Sequence, residues 1–97
     1  HDCLPKSMSQ QAVPRHQWVW NGDVWKCIVK YRCRKDLDIV TCKIDQGISA
    51  IRKMNNKAPF DLNIQNFKNL KFKDFFYNHI NYMRILSYES FIEYIKD

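Results

Sequence analysis

Gln17-Trp18-Val19-Trp20-Asn21-Gly22-Asp23-Val24-Trp25-Lys26-Cys27-Ile28-Val29-Lys30-Tyr31-Arg32-Cys33 is the stretch whose reading decides the fold. Asn-Gly tolerates the positive φ angles of a type I′ turn, and aromatic and β-branched residues flank it, so Asn21-Gly22 reads as the tip of a β-hairpin. A two-residue loop there sets Trp18 opposite Trp25 and Val19 opposite Val24, and cross-strand aromatic pairs contribute on the order of 0.2–1 kcal/mol each. The second arm continues with period two: Trp25, Cys27, Val29, Tyr31 and Cys33 on one face, Val24, Lys26, Ile28, Lys30 and Arg32 on the other. Three tryptophans on one face most simply pack into a core, but Trp20 lies at the tip, opposite Asp23, where burial is hardest. It is therefore a candidate interface anchor.

A second turn at residues 34–38 leads into residues 39–44, which alternate again, with Val40, Cys42 and Ile44 on one side and Thr41 and Lys43 on the other. Pairing Cys33 with Cys42 sets Tyr31 opposite Ile44 and puts both apolar sets on one side of the sheet. That geometry sorts the four cysteines, which allow three disulfide connectivities. On one strand Cys27 and Cys33 stand roughly 20 Å apart, too far for a bond. The facing register favours Cys33–Cys42 and leaves Cys3–Cys27 to staple the arm of residues 1–16 to the sheet. Small secreted domains use such frameworks because a core of this size is marginal without covalent help. Zinc is the rival reading of the same thiols, but no short C-x₂₋₄-C chelate occurs, and no metal is expected.

Beyond Ile44 the period becomes helical. Asp45 reads as the cap of a helix over 46–54 carrying Ile48, Ile51 and Met54, ended by residues 55–59. Residues 60–71 are open between a strand (Phe60, Leu62, Ile64) and the start of a helix (Phe67, Leu70). The stripe Phe72, Phe76, Ile80, Met83 and Leu86 opposes Asp74, Asn78, Asn81 and Arg84 and predicts an amphipathic helix over 73–86. Ser87 then stands at an N-cap position before a last helix over 88–96. The expectation is one α+β domain: a small disulfide-stapled antiparallel β meander over residues 17–44, followed by two or three helices.

The chain has 97 residues, with 16 Lys and Arg against 10 Asp and Glu, a formal net charge of +6. That balance favours acidic partners. Lys26, Lys30, Arg32, Arg34, Lys35 and Lys43 would form a positive stripe on the outer sheet face and its second turn, suited to sulfated glycans or an acidic protein surface; the competing reading is a solvated face that blocks edge aggregation. No apolar run is long enough to span a bilayer, so no membrane insertion is expected. The start at His1 instead of Met fits a mature product freed of its signal peptide. There is no G-x-S-x-G, no phosphate loop and no H-E-x-x-H. His16 and His79 with Lys26 would be needed as an acid–base set, and their spacing does not suggest one. A non-enzymatic, cofactor-free monomer is expected.

A chain opening His1-Asp2-Cys3-Leu4-Pro5, with four cysteines and a second half rich in Lys, Asn, Ile and Phe, resembles the small secreted salivary proteins of blood-feeding insects. More specifically it is similar to the salivary anti-complement proteins of New World sand flies. The resemblance rests on size, cysteine count and composition over the whole chain, and it assigns no roles to residues. It implies a secreted inhibitor of the host classical complement pathway that binds an early component in plasma. A cationic glycan- or membrane-binding defence protein is the alternative.

Overall fold

The computed structural model describes residues 1–15, 17–18, 20–62 and 67–96. His16, Val19 and Ile64, used in the expectations above, lie outside them. In chain order the elements are α1 (Met8–Gln11), α2 (Val24–Arg32), β1 (Asp38–Cys42), β2 (Ile48–Arg52), a 3-10 turn at Phe67–Asn69, α3 (Phe72–Met83), β3 (Ile85–Leu86) and α4 (Tyr88–Lys96). The α+β class is as expected. The hairpin at Asn21-Gly22 is not.

Residues 24–32 form a helix instead of a strand, because Trp25, Ile28, Val29 and Arg32, at i, i+3, i+4 and i+7, are the ones buried. Cys27, placed inward by the period-two reading, is exposed. Gly22 does adopt a positive φ, +69°, and a Cβ there would come within 3.1 Å of the Trp20 ring. The reversal, however, leads into α2 and not into a strand. The Asn21 and Gly22 backbone N–H groups both donate to Gln10 O, at 2.7 and 3.0 Å, which ties the turn to α1.

The hairpin of this protein lies one element later. Asp45, Gln46 and Gly47 all have positive φ, and the Gly47 N–H donates to Ile44 O at 2.8 Å, closing the turn. The chain then returns as β2, antiparallel to β1, with Cys42 opposite Ile48 and Asp38 opposite Arg52. This replaces the helix expected over 46–54: the β-branched Ile48 and Ile51 fit a pleated surface, and their i, i+3 spacing was coincidental. β3 adds to the other edge of β1 in parallel, giving the order β2-β1-β3.

β1 is buried along its whole length. Ile39 joins Trp25, Ile28, Val29, Leu37, Leu70, Phe75 and Met83 in a cluster under α2 and α3. Val40 and Cys42 join Phe91 under α4, on the opposite face. Trp25, with no exposed surface, packs on Phe75 at 4.9 Å between ring centroids and couples α2 to α3. The helix expected over 88–96 forms as α4, and that expected over 73–86 forms as α3 but ends at Met83, with Ile85–Leu86 becoming β3 instead. Ser87 Oγ accepts the Ser90 N–H at 3.2 Å, as an N-cap does.

The α3 stripe is corrected in part: Phe75 and Met83 are the buried residues, whereas Phe76 and Ile80 face outward. Arg84, expected on the polar face, ends α3 in the left-handed region at φ 47° and turns back toward β1. The expected disulfide framework is not formed in the structure. Cys3, Cys27, Cys33 and Cys42 are all free thiols. With 24–32 helical, the facing register behind Cys33–Cys42 no longer exists: Cys33 caps α2 and its thiol donates to Val29 O, while Cys42 packs with Phe91 under α4. Cys3 is buried with Trp25 and Ile28, and Cys27 points away from that core.

Candidate functional site

The residues singled out for binding do not share one face. On the N-terminal arm, Trp20 is held in place: its indole N–H donates to Ala12 O at 2.6 Å and its ring covers Gly22. The Arg15 guanidinium lies 5.5 Å from the Trp18 ring centroid and 5.8 Å from that of Trp20, and it donates to the carbonyls of Gln17 and Trp18. Trp18, which the hairpin reading paired with Trp25, is 89% exposed. The ring left in water here is thus Trp18, with the Arg15 guanidinium near both it and Trp20. An arginine followed within five residues by two tryptophans, Arg15, Trp18 and Trp20, is the signal that marks it in sequence.

The basic residues separate into three groups. Lys26 donates to Lys68 O at 3.0 Å and so closes the 3-10 turn onto α2. Arg32 is buried, with its guanidinium donating to Ala58 O at 2.7 Å and Asn81 O at 3.1 Å and standing 4.9 Å from the Phe60 ring. Burial, reinforced by the Arg84 charge, lowers its pKa. It is a structural cation, not part of a surface stripe. Lys43 stands beyond the far end of β1, in the turn to β2.

Lys30, Arg34 and Lys35 do remain exposed near one another at the end of α2. Arg34 is engaged by Asp36 at 2.5 Å, a hydrogen-bonded pair that raises the arginine pKa and lowers that of the carboxylate. The loop after β2 adds to this end. The Asn56 amide donates to Arg32 O and Arg34 O, each at 2.9 Å, and its backbone N–H donates to Lys35 O at 3.0 Å. That brings the exposed Lys57 to the same end of the molecule. No local pattern could have linked Lys35 to Lys57, since the Asn56 side chain makes the connection across the intervening hairpin.

The densest polar cluster surrounds Asp38, whose exposure is 0%. Its carboxylate accepts from Lys57 N–H at 2.8 Å, Arg84 Nη1 at 2.8 Å and Tyr94 OH at 2.9 Å. Burial pushes the carboxyl upward, but these donors outweigh it and hold its pKa below the ordinary value. The Tyr94 phenol is pushed up to about 12 by burial and by its bond to Asp38. The Arg52 guanidinium lies 4.3 Å from the Tyr94 ring centroid and donates to Tyr94 O. Closed to solvent and fully hydrogen-bonded, this carboxylate joins β1, α3 and α4 and is a latch between elements rather than a reacting group.

His79 sits on α3 with Nδ1 bonded to Phe76 O at 3.1 Å. Among the described residues, no three His, Cys, Asp or Glu side chains come together in a way that could hold a metal ion, and no helix is long and apolar enough to cross a membrane. Compared with known proteins, the chain matches no family model, no curated protein sequence and no solved structure.

Proposed function

We propose that this chain is a secreted, non-enzymatic binding module that inhibits host defence by holding an early component of the classical complement pathway. The observation that carries a binding role is Trp18: a tryptophan with 89% of its surface in water, with a guanidinium 5.5 Å from its ring centroid. Leaving so large an apolar ring exposed is unfavourable for a free monomer, and buried Trp and Arg side chains are the residues that most often dominate protein interfaces. The net charge of +6 speeds approach to an acidic protein face. The complement pathway itself enters from the salivary resemblance.

The test is lysis of antibody-coated erythrocytes in serum with the Trp18→Ala and Arg15→Glu/Trp18→Ala variants. Both should lose inhibition by about tenfold or more, as loss of a hot-spot anchor does, while urea unfolding stays unchanged because both side chains are exposed. Full inhibition by the double variant would remove the arm from the interface. A second reading, a cationic glycan-binding defence protein, is favoured by the exposed Lys30, Lys35 and Lys57 at one end of the molecule.

A further inference from the structure

A groove of about 540 Å³ runs between residues 4–6, the β1–β2 turn and α3. Its position follows from the backbone. Cys3 and Leu4 donate their N–H groups to Gly47 O and Gln46 O at 3.1 and 2.9 Å, which lays the first residues along the turn. Gly47, at φ +95°, allows that approach: a Cβ there would stand 2.5 Å from Leu4 Cγ. Leu4, Pro5, Phe75 and Phe76 supply the apolar wall, and Phe76 is 54% exposed although it belongs to the core helix.

The rim has the opposite character. Lys6 and Lys43 stand on it, both exposed and neither in an ion pair among the described residues. Asp45 is the one carboxylate that lines the groove. An apolar trough of this volume falls within the range of small-molecule sites. Two ammonium groups against one carboxylate at its edge attract an anionic occupant and disfavour a cationic one. Ammonium groups act as point charges, which suit a small carboxylate or sulfate head without demanding the planar fork that arginine offers.

We propose that this groove binds a small anionic amphiphile, a fatty-acid-like molecule whose tail lies against Leu4, Pro5 and Phe76 and whose head sits between Lys6 and Lys43. The site uses none of Arg15, Trp18 and Trp20, so it stands whether or not the complement reading holds.

The experiment is an NMR amide-shift titration of the full chain with decanoate, decanol and decyltrimethylammonium, all below their micellar concentrations. Decanoate should saturate, with shifts centred on residues 4–6, 43–47 and 75–79. Decanol should bind about tenfold more weakly, the loss of one charge-assisted contact, and the cation more weakly still. Lys6→Glu/Lys43→Glu should weaken decanoate by about tenfold or more, whereas Lys96→Glu, on α4, should leave it unchanged. Phe76→Ala, which removes an exposed side chain and so spares the fold, should weaken decanoate and decanol alike. Equal binding of the three amphiphiles, undiminished decanoate binding to the lysine double variant, shifts centred outside the groove, or no saturation would each overturn the proposal.

Discussion

Asp38 shows how one residue can hold three elements. Its carboxylate is sealed from water and accepts from a β2–α3 loop amide, an α3-end guanidinium and an α4 phenol. Asp38→Ala would strip the Arg84 charge of its partner in a half-buried setting, and loss of one member of a buried pair costs about 3–5 kcal/mol. Because the pKa of Asp38 is depressed in the folded protein, its contribution is present above the unfolded carboxylate value of about 4 and is lost as pH falls through the folded value. Urea midpoints should therefore separate wild type from Asp38→Ala widely at pH 7 and progressively less below pH of about 4. A constant gap across that range would mean that the carboxylate does not carry the link. None of this was visible in the sequence, where Asp38 looked like the end of a polar turn, because its partners lie at residues 57, 84 and 94.

At the scale of elements, the informative case is α2. Alternation and helical periodicity both fit the stretch from Trp25 to Cys33, since its apolar and polar residues are nearly balanced. Its β-branched and aromatic content leaned toward a strand. The two readings disagree on neighbouring residues: the hairpin buries Cys27 and exposes Ile28, whereas the helix buries Ile28 and exposes Cys27. Ile28→Ala should cost about 2–5 kcal/mol, as large-to-small changes in a core do, and Cys27→Ala should fall within about 0.5 kcal/mol of wild type, as surface changes usually do. Thermal and urea unfolding of the two variants decide it, and the reverse order would restore the strand. α3 and α4 were easier to read. Each carries a long run of helical period, and α4 has a serine in capping position, so local signals and tertiary contacts agree. Even in α3, the choice between Phe75 and Phe76 as the inward ring had to wait for the packing of Trp25.

Across the whole molecule, charge is dispersed by sequence and concentrated by folding. Arg32 goes into the interior and Lys43 to the groove, while the loop after β2 carries Lys57 to the end where Lys30 and Lys35 already stand. If that end binds sulfated glycans, Lys35→Glu/Lys57→Glu should elute from a heparin column at markedly lower salt than wild type, because each lost contact reduces counterion release. A Lys96→Glu/Lys71→Glu control, with the same change in net charge, should shift less. Equal shifts would show that net charge alone is read, and the second functional reading would lose its support.

By itself the sequence determined the class, the two C-terminal helices, the strand at β1 and the excess of positive charge, because each is written in local periodicity or in composition. Tertiary structure alone decided that Asn21-Gly22 opens a helix, that the hairpin turns at residues 45–47, which tryptophan faces water, and that Asp38, Arg84 and Tyr94 meet. The physical reason is common to these cases. A turn residue specifies a backbone angle but not the element that follows it, and a side chain's burial depends on partners that periodicity cannot locate. The centre of this fold is β1, buried on both faces, and what it buries comes from α2, α3 and α4, far apart in the chain.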